Sequence, residues 1–350
     1  MGFLNIINDI RHTVMTSITR GIGASKYQPK FEGGEIPKIE KILVIRPNHK
    51  LGNQLLLTPL VQELENIFPH SQIDIFAKGT VANIVFKNYS SVKKIYQLPR
   101  KPFNHLLRYA WCWFSIKGKR YNLVINGDKN SSSGRLLTKF SRGRFKIFGD
   151  VPEEVQTRYS DYTHISKYPI YNTRWFLSRI GHKDCMPDIP TLSIKLSKAD
   201  LQNGQTILKD LVKNNKKTIC IYTNATGNKC YSEAWWESLY QELLKVYSNK
   251  YSIIEMLPVE NISRINFKAP HFYSKDIHEM GGVIANTSIF ITADNGVMHL
   301  ASASQTPVLG FFKTTDLDIY APYGNNSIAL DTRETSMEDW IAEIKRMLSE

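Results

Sequence analysis

Paired cysteines, long apolar runs and acidic charge are what this chain lacks. Its 350 residues hold four cysteines, Cys112, Cys185, Cys220 and Cys230, scattered with no C-x-x-C spacing. That argues against a zinc site and a disulfide framework and points to a reducing cytoplasm. No apolar stretch approaches the roughly 20 residues needed to cross a bilayer. The N-terminus has no compact basic-then-apolar block with a small-residue cleavage site, so no signal peptide is expected. Acid is scarce: 32 Asp and Glu stand against 45 Lys and Arg, a net charge of +13. Such a balance attracts phosphates, in nucleic acid, in lipid headgroups or in phosphorylated substrates. The cations are spread along the chain, with modest clusters at residues 142–146 and 213–217. They form no zinc-finger, recognition-helix or RNP pattern, so nucleic acid is not the expected partner.

What is present is ordinary globular material, 42% hydrophobic and 22% charged, long enough for two domains. Residues 1–20 place Phe3, Leu4, Ile6, Ile7, Ile10, Val14 and Ile18 at helical spacing. Two readings stay open for them, a helix lying on an anionic inner-membrane surface or one docked on the protein itself. A Gly- and Pro-rich linker follows, to residue 40.

From Lys41 strand-like and helix-like segments alternate. Strands are predicted at "KILVIRP", "QIDIFAK", residues 92–97, "YNLVING" and "FKIFG", and helices at 55–68, 81–87, 102–116 and from about 134. The pattern weakens around "HKDCMPDIPTLSI", near Met186, which reads as an inter-domain linker. A charged helix at 197–214 opens a second series, with strands "TICIYT", "YSIIEML", "HFYS", "IFITA", "TPVLGFF" and "SIALD". Helices are predicted at 234–246, near Asn261, at 277–286 and at 297–304, and Ser336 and Asp339 would cap a last one. The expected organisation is 1–40 helix and linker, 41–190 and 191–335 two α/β domains, and 336–350 a C-terminal helix. Two doubly wound sheets imply an inter-domain cleft, because ligands sit beyond the carboxyl ends of parallel strands.

Chemistry concentrates in two places. In "RPNHKLGNQLLLTPL" (residues 46–60) a glycine turn joins strand to helix, with Arg46, His49, Lys50, Gly52 and Asn53 around it. In "ITADNGVMHLASA" Asp294 ends a strand, and Asn295 and Gly296 turn into a helix that carries His299 on its first turn. A helix start of this kind offers N–H groups to a diphosphate. Asp294 would accept from sugar hydroxyls, or cap the helix.

Residues 278–316 resemble glycosyltransferase family 9, the ADP-heptose:lipopolysaccharide heptosyltransferases, through strand–Asp–x–Gly–x–x–His–Leu–Ala followed by "TPV" and "TD". The 42–78 segment resembles that family's N-terminal strand, glycine turn and helix, and "TNATGNKCYSEAWWESL" resembles its phosphate loop. The likeness runs from about Lys41 to Asp316. It implies a GT-B fold and inverting, metal-independent transfer, without a cofactor, from a nucleotide-diphosphate sugar, ADP-heptose in the family, to an anionic lipopolysaccharide core or related glycan. It matches Lys229 to the phosphate-binding lysine and sets Thr223, Asn224 and Thr226 beside the diphosphate. A surface lysine remains the plain alternative for Lys229, a core or capping role for His299, and a surface acid for Glu260, which stands where the family puts an acid for the ribose.

Family members commonly carry an acid after the turn glycine as the base. Here the residue is Asn53, which can orient a hydroxyl but not deprotonate it. His49 and Asp128 are the candidates in its place, with a catalytically impaired nucleotide-sugar-binding relative as the alternative function. Arg46, Lys50, Lys129 and Arg135 would meet an anionic acceptor.

Overall fold

The computed structural model describes residues 22, 33–100, 106–182 and 188–349. The helix predicted within residues 1–20, most of the linker after it, the first turn of the 102–116 helix, and Cys185 with Met186 lie outside the described residues. The chain forms two compact units, one of Met1–His49 and Pro59–Pro190, the other of Lys50–Thr58 and Thr191–Glu350. Segment Lys50–Thr58, expected with the N-terminal half, therefore belongs to the second unit.

The first unit is built on five parallel strands, β1 (Lys41–Arg46), β2 (Gln72–Lys78), β3 (Val92–Leu98), β4 (Arg120–Asn126) and β5 (Arg142–Ile147), in the order β3-β2-β1-β4-β5. Ile42, Leu43, Val44 and Ile45 of β1 are all fully buried. A strand apolar on both faces needs helices above and below, which is why the sheet is parallel. Helix Leu106–Lys117 contributes Cys112 and Ile116 to one core cluster with Leu43, Ile45 and Phe76. Helices Glu153–Thr157 and Tyr168–Ser178, which carry no clear periodicity, follow β5 and bring Tyr171 into a tyrosine cluster with Tyr162 and Tyr168.

The second unit has six parallel strands, β6 (Lys217–Tyr222), β7 (Tyr251–Met256), β8 (His271–Phe272), β9 (Ile289–Ala293), β10 (Val308–Phe312) and β11 (Ile328–Asp331), in the order β11-β10-β9-β6-β7-β8. That is the doubly wound pattern, and its order reverses between β6 and β9. Loops leaving those two strands flank the crevice where such sheets take ligands. The last helix, Met337–Met347, starts with the expected capping box, Ser336 and Asp339 bonding reciprocally. It belongs to this unit's core, with Trp340 5.0 Å from both Trp235 and Phe311.

Two local readings are corrected. The predicted 55–68 helix is two pieces, Leu51–Leu55 and Thr58–Ile67. Pro59 has no N–H to continue a helix through this point, and the Thr58 hydroxyl donates to the Leu55 carbonyl at 2.6 Å instead. No helix forms near Asn261, where Asn261, Asn266 and Phe267 take positive φ. That backbone turns back on itself and cannot propagate a right-handed helix.

Candidate active site

Strand β9 is buried along its whole length and delivers Asp294, 4% exposed, to the sheet's carboxyl edge. Asn295, not Asp294, caps the following helix Gly296–Ala303: its Oδ1 accepts from the N–H groups of Val297 and Met298 at 2.8 and 3.0 Å. Its Nδ2 donates to the carbonyl of Asn224 at 3.1 Å, tying the loop after β6 to the end of β9. Two of the helix-start donors expected to face a diphosphate are thus already taken, and the helix dipole remains. Relieved of capping, Asp294 accepts from Lys229 Nζ at 2.5 Å. Lys229 ends the short 3-10 turn Gly227–Lys229 and also lies 5.7 Å from the centre of the Tyr320 ring.

A cavity of about 570 Å³ opens over this pair. Thr226, Lys229, Asp294, Asn295, Gly296, His299 and Tyr320 line one part, and Lys50, Leu51, Gly52, Asn53 and Leu56 the other. The two parts meet at a glycine contact. A Cβ on Gly52 would stand 2.9 Å from His299 Cδ2 and 3.3 Å from Gly296 Cα, so only glycine lets the two helix starts approach this closely. Helix Leu51–Leu55, which holds Gly52 and Asn53 where a turn was expected, and helix Gly296–Ala303, which carries His299, therefore share one wall. Such a cavity holds a cation beside an acid, a helix start and several hydroxyl or amide groups, which suits a sugar diphosphate.

Comparison with known proteins agrees. Residues 274–343 match the model of Glycosyltransferase family 9 (heptosyltransferase). Lipopolysaccharide heptosyltransferase 3 of Escherichia coli is 20% identical over 321 residues, 82% of this chain and 89% of that protein. Among solved structures, a family 9 glycosyl transferase from Veillonella parvula superposes with a TM-score of 0.70 at 15% identity, covering 90% of this chain and 99% of that one. The E. coli heptosyltransferase WaaC, solved with ADP, does so at 0.63 and 14% identity, covering 88% and 99%. The chain is a family 9-like glycosyltransferase. Its two parallel-sheet units are those of the GT-B fold implied by the sequence.

Not every residue singled out in this glycosyltransferase lines the cavity. Thr223 is 1% exposed and donates to Glu255 Oε1 at 2.6 Å, outside the cavity lining. Asn224 contributes its carbonyl to Asn295 rather than an amide to the cavity wall. Glu260 is exposed and outside the cavity lining.

In the first unit, Arg46 is fully buried and donates to the Gly127 carbonyl at 2.7 Å, pinning the end of β1 to the loop after β4. Arg135 is also buried, in a two-pronged pair with Asp150 and with Nε donating to the Lys129 carbonyl at 2.9 Å. Both arginines hold loops in place. Lys129 keeps its ammonium 5.0 and 4.9 Å from the ring centres of Tyr162 and Tyr168. Burial pushes it below the usual lysine range, Asp150 pulling it back up and Arg135 adding to the fall. His49 and Asp128 follow β1 and β4, the neighbouring strands where this sheet's order reverses, and both are half-buried. Asp128 Oδ1 accepts from the Asn130 N–H at 3.1 Å in a local turn.

Sequence reasoning missed Tyr320 and Glu255. Nothing marks Tyr320 beyond its place four residues after "TTD". Glu255 had a signal, a lone acid inside the apolar run "YSIIEML". Among the described residues no three His, Cys, Asp or Glu side chains are grouped to hold a metal ion, and Cys112, Cys220 and Cys230 form no disulfide.

Proposed function

We propose that this enzyme transfers heptose from ADP-heptose to a lipopolysaccharide core or a related surface glycan, with inversion and without a metal ion, in the cytoplasm at the inner-membrane surface. The observation that carries the reading is the Lys229–Asp294 pair beside the capped helix start in the second unit's cavity. Lys229 takes up the diphosphate charge as the bond to the anomeric carbon breaks and ADP leaves. Asp294, then released from the lysine, accepts from sugar hydroxyls. The acceptor hydroxyl forms the new bond to the anomeric carbon and passes its proton to His49 or Asp128, while Asn53 orients it. Lys50 and Lys129 meet the acceptor's negative charge. The catalytically impaired alternative that Asn53 raises is not favoured, because the proteins to which the chain is similar are heptosyltransferases.

ADP release from ADP-heptose and a core acceptor tests this. Lys229→Ala is expected to lower kcat by about a hundredfold or more, as removal of a transition-state charge partner does. His49→Ala and Asp128→Ala, made separately, name the base. Tight ADP-heptose binding by the wild-type protein with no turnover on any acceptor overturns the proposal.

A further inference from the structure

Helix Leu106–Lys117 has two unlike faces. Cys112 and Ile116 are buried in the first unit's core, and half-buried Trp113 lies edge-on to Phe76 at 6.3 Å. On the other side Leu107, Trp111 and Phe114 are 88%, 67% and 69% exposed. Their spacing of four and three residues puts all three side chains on one stripe. Phe140, at the end of helix Ser132–Phe140, is 55% exposed and 6.5 Å from Trp113, so it widens the same patch. Monomeric soluble proteins seldom leave an apolar stripe of this kind in water without a partner for it.

The surroundings of the patch identify that partner. Residues 75–149 contain sixteen lysines and arginines and a single acid, Asp128. Lys117 and Lys139 are exposed beside Phe114 and Phe140. Arg120 and Arg142, also exposed, are opposite each other in register at the starts of β4 and β5. Like charges directly opposite in a sheet repel, and this pair gains most where anions lie against it. A second copy of the chain would bring cations against cations, which disfavours self-association through this face. A nucleic acid would answer the charge and leave the Leu-Trp-Phe stripe in water. A bilayer of acidic phospholipid answers both features: apolar and aromatic side chains enter the headgroup–acyl boundary, and the flanking cations meet phosphates.

We infer that the stripe Leu107–Trp111–Phe114, with Phe140 and the flanking cations, docks this protein on an anionic membrane surface. The inference deepens the inner-membrane location given in the proposed function by naming the surface that docks, and it uses neither donor nor acceptor. It places the contact on helix Leu106–Lys117, where the sequence alone had offered residues 1–20.

The test is co-sedimentation of the full chain with phosphatidylcholine vesicles, with and without phosphatidylglycerol, in the absence of any glycolipid or nucleotide. Wild-type protein is expected to sediment with the acidic vesicles at least about tenfold more strongly than with neutral ones, and to be released by salt. Trp111→Glu with Phe114→Glu, and separately Arg120→Glu with Arg142→Glu, should each lose about tenfold or more of that binding. Thermal melts of these surface variants matching wild type, with the same shift on adding ADP, show that fold and cavity are intact. The inference is overturned if wild type ignores acidic vesicles, or if the Trp111/Phe114 variant sediments as wild type does while deletion of residues 1–20 abolishes binding. It is equally overturned if gel filtration shows an oligomer that the Trp111/Phe114 variant dissociates without any vesicle binding.

Discussion

Glu255 is fully buried at the end of β7, its two oxygens accepting from the Thr223 and Ser263 hydroxyls, each at 2.6 Å. The same hydroxyls accept backbone N–H groups, Thr223 from Arg264 and Ser263 from Ile265 and Phe267. One carboxylate thereby fixes the root of the loop that ends in Lys229 and the tight turn after β7. Burial raises its pKa above the ordinary carboxylate range, and the two hydroxyls pull it only part of the way back. The folded state therefore binds this proton more tightly than the unfolded chain does. The linked stability is fully present below the ordinary carboxylate pKa and is lost as pH rises through the raised folded value. Glu255→Gln, which keeps shape and removes charge, is expected to melt higher than wild type at pH 8 and to flatten the fall in melting temperature between pH 5 and 8. Glu255→Ala leaves two buried hydroxyls without their acceptor and should cost about 2–3 kcal/mol in denaturant titrations. The sequence does contain the clue, since an acid in a strand buried on both faces has to be paired. The exposed Glu260 drew attention because family pattern, rather than burial, chose it. The partners of Asp294 were less legible. That Asn295 would cap the helix and release Asp294 to Lys229 depends on one backbone turn that sequence alone does not fix.

Among elements, strands were the most legible part of this chain. All six strands of the second unit were visible between turn residues, and β6, β7, β9 and β10 stood out as apolar runs because they are buried along nearly their whole length, whereas β8 and β11 are short and only partly buried. Helices that bury little were harder to place in the fold. Helix Lys198–Val212 reads as charged and solvated, and of its residues only Gly204 and Leu208 are buried. Its hold on the domain is a close crossing over helix Ile277–Ala285. A Cβ on Gly204 would lie 2.1 Å from the carbonyl carbon of Gly282, and a Cβ on Gly282 2.3 Å from the carbonyl oxygen of Asp200. By helix propensity alone Gly204→Ala should stabilise by about 1 kcal/mol. The clash is with backbone, which cannot rotate aside, so overpacking should win and the variant should lose about 3 kcal/mol. Chemical denaturation of Gly204→Ala checks the sign directly, and a stabilised variant would mean that the two helices do not cross this closely. The 150–178 region was illegible for another reason: its core is aromatic, with Tyr159 and Tyr171 stacked at 3.8 Å, and tyrosines carry too little hydropathy to show a helical period.

At the scale of the whole molecule, chain order and spatial grouping differ. Residues Lys50–Thr58 follow the first strand of the first sheet, yet they belong to the unit that otherwise begins at Thr191. A reading that moves along the sequence assigns them to the acceptor side, and only the Gly52 contact with Gly296 and His299 shows why they group elsewhere. Net charge has the same character: a total of +13 conceals the acid-poor window from 75 to 149, which a count over the chain averages away. The grouping has a measurable consequence for the donor site. ADP at about a hundred times its dissociation constant should add about 2.7 kcal/mol to the stability of the unit that binds it. Hydrogen exchange on the full chain then reports which segments share that unit's cavity. Amides at 51–56 are expected to slow together with those at 226–229 and 294–299, although they are far apart in sequence. If ADP slows the latter two segments and leaves 51–56 unchanged, helix Leu51–Leu55 with Asn53 does not form part of the donor cavity, and its lack of an acid has no bearing on how the leaving diphosphate is held.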